Sequence, residues 1–360
     1  MKIRLEQSQF ADIVGWVLRS VSSRSTLPAL GGILFRASGS TLTLTGTEQD
    51  LSGQLSVEVA VEEPGEVLLP GRLLGDIAKS LAGGAVRIDT EGTQATISNG
   101  SATFTLRTLP VDDFPAFDPP AGTGGTVAFA DFAAAVQQVA RASSNDEVRP
   151  VLTGILVDID AEQATLVATD SYRLAVRTLA WTGLSEPVRK VIPARSFTEA
   201  ARIATDGALT ITLADTKASF AAGSRTLVSR LIDGEFPNWK NLIPSELPNK
   251  LTVSKELFIE AVRRVGLLAS AGSPVKIALS ETAVTLTAGS QDLGDATEQI
   301  DAKYEGEELT VAFNPGYLVD GVAAVHGTEV VLLVRDGLKP AVLRAPDDET
   351  FTYLVMPVRL

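Results

Sequence analysis

An apolar stripe that occurs three times limits what this chain can fold into. Phe10, Val14 and Val17 are answered by Phe132, Val136 and Val139, and again by Phe258, Val262 and Val265. The i, i+4, i+7 spacing puts three apolar side chains on one helix face. Offsets of 122 (132 − 10) and 126 (258 − 132) divide the 360 residues into thirds, the pattern of a repeated unit. Other features return in the same order. Leu68-Leu69-Pro70-Gly71-Arg72, a strand running into a helix opened by proline, has partners in Val191-Ile192-Pro193-Ala194-Arg195 and, more loosely, Ala312-Phe313-Asn314-Pro315-Gly316. The alternating run at residues 41–48 returns at 164–170 and 283–289, and Phe114-Pro115 returns as Phe236-Pro237.

Within each third the period switches between helix and strand. In the first, helices are expected over 7–22 and 71–82, with strands over 31–37, 41–47, 52–59, 85–90, 94–98 and 102–108. Each third is therefore an α+β unit whose helices can cover one face of an antiparallel sheet. Linker compositions at 118–125 and 244–248 set the expected domains at 1–121, 122–245 and 246–360. With 45% hydrophobic residues, thirds of this size are ordinary domains. The first residues lack the apolar run of a signal peptide and no stretch approaches the ~20 apolar residues of a membrane span, so a soluble, cytoplasmic protein is expected. The absence of cysteine removes disulfides, thiolate nucleophiles and thiolate metal sites together.

Catalytic groups are scarce. The single histidine, His326, falls at a helix end beside Gly327, where a solvated residue is expected rather than a base. The acidic pairs Asp112-Asp113, Asp158/Asp160 and Asp347-Asp348 sit in turns or strand ends with no further ligand at suitable spacing, so no metal or cofactor is expected. No glycine-rich loop ends in Lys-Ser/Thr. An enzyme is disfavoured.

Charge is segregated along the chain. The formal charge is −13, which by itself argues against nucleic acid as a partner. Lys and Arg minus Asp and Glu over the six expected helical segments comes to +2, leaving −15 (−13 − 2) for strands, turns and linkers. Helices sharing one surface would make it the only electropositive one, able to steer an acidic partner. Basic residues near helix C-termini, such as Arg19, Lys79 and Arg141, equally suit the helix dipole.

The triple repeat, Arg24-Ser25-Thr26-Leu27-Pro28, Thr169-Asp170-Ser171-Tyr172-Arg173-Leu174, Asp233-Gly234-Glu235-Phe236-Pro237 and the terminus Val355-Met356-Pro357-Val358-Arg359-Leu360 together resemble the bacterial DNA polymerase III beta subunits, the replicative sliding clamps. The resemblance covers the whole chain. It implies a head-to-tail homodimeric ring of six repeats around duplex DNA, antiparallel sheets outside and helices lining the hole, tethering the polymerase without catalysis of its own. Near-neutral helices suit a ring that slides, because strong phosphate contacts would hold it in place.

The resemblance also implies residue roles. Arg24 and Arg195 match DNA-facing positions, and helix placement adds Arg72, Arg141 and Arg202. Phe104, with Leu267 and Leu268, matches the dimer interface, a heterologous contact between different surfaces. Short peptide motifs of the polymerase III alpha subunit, the clamp loader, other polymerases and repair proteins would enter a pocket formed by Leu152, Thr169, Ser171, Tyr172, Arg173, Leu174, Pro237, Leu242, Asn314, Tyr317, Val355, Met356, Pro357, Val358 and Arg359. Departures from the family pattern fall at Pro150-Val151, where an aromatic pair is absent, at Ser171-Tyr172, and at Asn241, where a basic residue is common. A reading from another class is a monomeric repeat scaffold that binds proteins without DNA.

Overall fold

Three runs of nearly the same element order build the chain, the second with one strand fewer than the others among the described residues. The computed structural model describes residues 1–22, 27–160, 163–183, 187–204, 206–269, 273–290 and 294–359. The first run is β1 (Lys2–Glu6), α1 (Gln7–Val17), β2 (Gly32–Ser38), β3 (Thr41–Thr47), β4 (Leu51–Glu58), β5 (Ala60–Glu63), β6 (Gly65–Pro70), α2 (Gly71–Ser80), β7 (Ala85–Glu91), β8 (Gln94–Asn99) and β9 (Ala102–Arg107). The second is β10 (Thr123–Ala128), α3 (Phe129–Val139), β11 (Gly154–Asp160), β12 (Gln163–Thr169), β13 (Arg173–Ala180), β14 (Val188–Pro193), α4 (Ala194–Ala200), β15 (Ala208–Leu213), β16 (Lys217–Ala222) and β17 (Arg225–Arg230). The third is β18 (Asn249–Ser254), α5 (Lys255–Gly266), β19 (Val275–Leu279), β20 (Ala283–Ser290), β21 (Gly294–Asp301), β22 (Lys303–Glu305), β23 (Leu309–Phe313), α6 (Pro315–Ala324), β24 (Glu329–Val334), β25 (Ala341–Ala345) and β26 (Asp348–Val355).

The stripes do what their spacing requires. All nine side chains are at most 2% exposed, each contributing about 2 kcal/mol relative to exposure. The helix expected to run on to residue 22 stops earlier: α1 tightens into a 3-10 turn at Leu18–Ser20, and α3 does the same at Ala140–Ala142, a usual way to end a helix. The short strand opening the first run, β1, lay outside the expected set although Ile3 and Leu5 alternate with polar residues and are buried.

The sheets do not follow the thirds. Contacts divide the chain into two compact units, Met1–Ala130 with Glu199–Leu231, and Asp131–Thr198 with Ile232–Leu360. The first unit holds a five-stranded sheet, β5-β1-β7-β8-β9, and an eight-stranded sheet, β10-β15-β16-β17-β4-β3-β2-β6. The second holds a nine-stranded sheet, β14-β11-β12-β13-β26-β25-β24-β18-β22, and a four-stranded sheet, β21-β20-β19-β23. Each long sheet therefore joins two successive repeats, the last strand of one pairing antiparallel with the fourth strand of the repeat before it, or with the third counted after its first helix.

The two seams share one register. In the first unit Arg225–Ser229 pairs with Leu55–Leu51; in the second Phe351–Val355 pairs with Arg177–Arg173. Each is extended by one equivalent bond, the Arg230 N–H donating to the Asp50 carbonyl at 2.9 Å and the Met356 N–H to the Tyr172 carbonyl at 2.8 Å. A large side chain faces a small one in both, Leu227 opposite Gly53 and Tyr353 opposite Ala175. By the same rule β9 and β21 are the strands left without a seam partner, each an edge of its own sheet.

Candidate functional site

The second seam carries the most elaborate surface in the described residues, and it starts in the turn between β12 and β13. The Asp170 carboxylate accepts from the N–H groups of Tyr172 and Arg173 at 2.9 and 3.0 Å, an Asx turn. Thr169 Oγ1 donates to the Arg173 carbonyl at 2.6 Å. Ser171 has φ 80° and is the one non-glycine residue with positive φ among the described residues, a conformation that persists only where neighbours hold it. Arg149 does so, Nη1 donating to Ser171 Oγ at 2.9 Å while Nε pairs with Asp146 at 3.3 Å. The result stands Tyr172 out of the sheet at 59% exposure.

Opposite that turn lies the start of α6. Asn314 caps it, Oδ1 accepting from the Gly316 and Tyr317 N–H groups at 2.9 and 3.1 Å, with Pro315 in the first turn. The ring of Tyr317 stacks on Tyr172 with centroids 6.2 Å apart. On Tyr317 also lies the guanidinium of Arg173, 4.6 Å from the ring centroid. Arg173 Nε pairs with Asp170 at 2.9 Å and Nη1 with Asp320 at 2.6 Å. Burial works against the charge of Arg173, but Tyr353, Asp320 and Asp170 together hold its pKa above the ordinary arginine value. Burial likewise pushes the Tyr353 phenol up, and its hydroxyl donates to the Tyr317 carbonyl at 3.0 Å.

The C-terminal segment closes the third side. Val355 is buried, Met356 is 37% exposed, Pro357 and Val358 are half-buried and Arg359 is exposed. Val358 is tied down by its N–H donating to the Ala312 carbonyl at 2.8 Å. Beneath is an apolar floor of Leu156, Val167, Leu174, Val176, Trp239 and Leu354, bordered by Val151, Ile232 and Ile243. Leu174 is buried in that floor and Leu152 is buried beside Val151, whereas Leu242 is 46% exposed and Pro237 is exposed. The seam thus gathers Thr169 through Leu174, Asn314, Tyr317 and Val355 through Arg359, and the segments bearing Leu152, Pro237 and Leu242 border its floor. Asp170, Asp320, Arg149, Val151 and Trp239 were not among the expected residues. Only Asp170, inside the Thr-Asp motif, carried a signal in the sequence.

The equivalent place on the first seam has a different floor. Val167, Leu174 and Val176 are replaced at matching strand positions by Thr45, Ser52 and Gln54. These side chains bond within the sheet, Gln54 Nε2 donating to Thr45 Oγ1 at 3.0 Å and Thr47 Oγ1 lying 2.6 Å from Ser52 Oγ. The groove there, about 280 Å³, sets Glu48, Asp50, Asp118, Lys217 and Arg230 beside Leu30, Pro115, Phe117 and Val228, a more highly charged lining than that of the second seam.

Of the basic residues expected to face DNA, Arg24 lies outside the described residues. Arg72, Arg141, Arg195 and Arg202 are all exposed. Arg141 lies 3.4 Å from Asp320 and Arg202 lies 3.3 Å from Glu199, which also faces Arg19 at 3.7 Å. Carboxylates thus temper the helix charge, as the near-zero count over these segments requires. Phe104 is half-buried on the edge strand β9, Leu267 is 79% exposed just beyond α5 and Leu268 is half-buried. Core packing does not account for Leu267. Among the described residues no group of three or more His, Asp or Glu could hold a metal ion, and no helix is long and apolar enough to cross a membrane.

Comparison with known proteins agrees with this architecture along the whole chain. Family models of the DNA polymerase III beta subunit match in order: the N-terminal domain over residues 1–118, the central domain over 126–238 and the C-terminal domain over 240–359. The beta sliding clamp of Streptomyces coelicolor is 38% identical over 100% of both chains. The crystal structure of the Bacillus subtilis sliding clamp is 30% identical with TM-score 0.95, covering 100% of this chain and 99% of its own. That of a Pseudomonas aeruginosa sliding clamp bound to griselimycin is 28% identical with TM-score 0.96, covering 100% of both. With three repeats, three family models in register and this similarity over its full length, the chain belongs to the bacterial DNA polymerase III beta subunits, the sliding clamps that act as non-catalytic processivity factors.

Proposed function

We propose that two copies of this chain join head to tail into a ring around duplex DNA in the cytoplasm, and that the second-seam surface receives short peptide motifs. The motifs would come from the polymerase III alpha subunit, the clamp loader and other polymerases and repair proteins. The observation that carries the ring is the shared seam register. Applied to the leftover edges, it sets Ala102–Leu106 of one copy against Glu298–Gly294 of the other, with Phe104 opposite Ala296. That is the large-against-small pairing of Leu227 with Gly53 and Tyr353 with Ala175. Both edges are then covered, which removes two sites of uncontrolled strand pairing, and the exposed Leu267 gains a place to bury. Domains at 1–121, 122–245 and 246–360 then alternate around the ring, with Arg24, Arg72, Arg141, Arg195 and Arg202 facing the duplex.

For the pocket, the apolar floor, the adaptable Met356 and the stacked Tyr172 and Tyr317 suit a ligand with apolar anchors. Griselimycin, held by the Pseudomonas aeruginosa relative, is the defined occupant we assign to it. The test of the ring uses the absence of cysteine. Oxidised Thr103→Cys/Thr297→Cys protein gives dimers linked at both interfaces and held on covalently closed circular DNA through denaturation of the protein. A pair moved two residues along, Thr103→Cys/Gln299→Cys, does not cross-link. Cross-linking only in the shifted pair, or in neither, sinks the proposed register.

A further inference from the structure

One carboxylate in the second unit serves two guanidinium groups with different duties. Asp320 Oδ2 receives Arg173 Nη1 at 2.6 Å, and its Oδ1 lies 3.4 Å from Arg141 Nη1. Arg173 belongs to the pocket, its face against Tyr317 and Tyr317 against Tyr172. Arg141 lies at the other end of the contact, exposed in the 3-10 turn that follows α3. The backbones carrying these groups are held together, because the buried Gln138 Nε2 donates to the Ala324 carbonyl at 2.8 Å and ties α3 to α6. The distance from Arg141 to Asp320 therefore changes mainly by a swing of the exposed arginine.

We propose that Asp320 is a positioning residue that couples DNA in the ring to the shape of the peptide pocket, an inference resting on the assignment of Arg141 to the DNA side and of the second seam to peptide. A phosphate near Arg141 draws its guanidinium away as a stronger, charge-assisted acceptor. Asp320 is then left to Arg173 alone. The Arg173 guanidinium is held more firmly over Tyr317, and the Tyr317–Tyr172 stack at the pocket mouth is ordered before a peptide arrives. Preorganisation of this kind raises affinity, and linkage makes it reciprocal, so an occupied pocket frees Arg141 less readily for Asp320 and favours its contact with phosphate.

The probe is fluorescently labelled griselimycin, titrated against the free dimer and against protein loaded on nicked circular DNA and separated from the loader. The wild type binds about five-fold more tightly on DNA, the low end of measured couplings. Arg141→Gln abolishes the dependence on DNA and leaves both states near the affinity of the DNA-bound wild type. Asp320→Asn also abolishes it, with both states at or below the affinity of the free wild type. Arg173 keeps Asp170 in that variant, and an unchanged thermal midpoint shows that folding is retained. A wild type indifferent to DNA, or variants keeping the full dependence, overturns the coupling. Failure of the probe to bind the wild type at all overturns the pocket assignment beneath it.

Discussion

At the scale of single residues, the seam chemistry makes two measurable statements. Burial of Asp348 opposes its charge, but hydrogen bonds from the Thr350 hydroxyl and N–H and from Arg177 at 2.9 Å outweigh it and hold the pKa below the usual aspartate range. A carboxyl depressed in the folded state adds stability that is fully present above its unfolded pKa, about 3.9, and is lost as pH falls through the folded value. Asp348→Asn should therefore lower the denaturation midpoint at pH 7 and narrow the difference from wild type as pH falls from about 4 towards 2, followed by urea titration at each pH. Arg173 offers a larger effect. Replacing it with Met leaves the nearly buried Asp170 without a cation and Asp320 with Arg141 alone, a loss of about 3 kcal/mol in urea unfolding, with griselimycin binding lost as the Tyr317 stack loosens. The Thr169-to-Leu174 motif was legible as a motif because its residues adjoin in sequence. Asp320 was not, because its partners stand 147 and 179 residues away and nothing local marks a helical aspartate as shared between two arginines.

At the scale of elements, close approach decides what each helix can be. A Cβ on Gly321 would fall 2.4 Å from the Tyr353 ring and 2.8 Å from Leu343, so α6 reaches the sheet only because that position is bare. Gly321→Ala should destabilise by about 1–3 kcal/mol through forced displacement, and because α6 carries Tyr317 and Asp320 the variant should also bind griselimycin more weakly; thermal melting and titration of the same sample check both. Helix positions were readable from the stripes, because a buried face must repeat at helical spacing whatever it packs on. Helix ends were less so. The turn to 3-10 geometry at Leu18–Ser20 and Ala140–Ala142 keeps the apolar pattern running past the last α-helical residue, so periodicity alone placed the first of those ends too late.

At the scale of the whole molecule, the prediction that matters is topological. Protein loaded on nicked circular DNA should stay bound at moderate salt and be released when the circle is cut, whereas equal retention on linear DNA would indicate surface binding, and a working loader with no retention on either would favour a scaffold without DNA. Breaking an edge should undo this: Phe104→Arg sets a charge against Ala296 in the proposed pairing, and sedimentation should show monomer at concentrations where the wild type is dimeric. The amino-acid sequence by itself determined the threefold repeat, the six helices, the α+β character and the want of cysteine, because each is written in local spacing or in composition. Only the tertiary structure decided that the sheets run across the repeats, that both seams share a register, and that one seam has an apolar floor while the other is lined by Thr45, Ser52 and Gln54. Those facts depend on which strand edges meet, and hydrogen bonding between strands is made by backbone groups that every residue except proline carries alike.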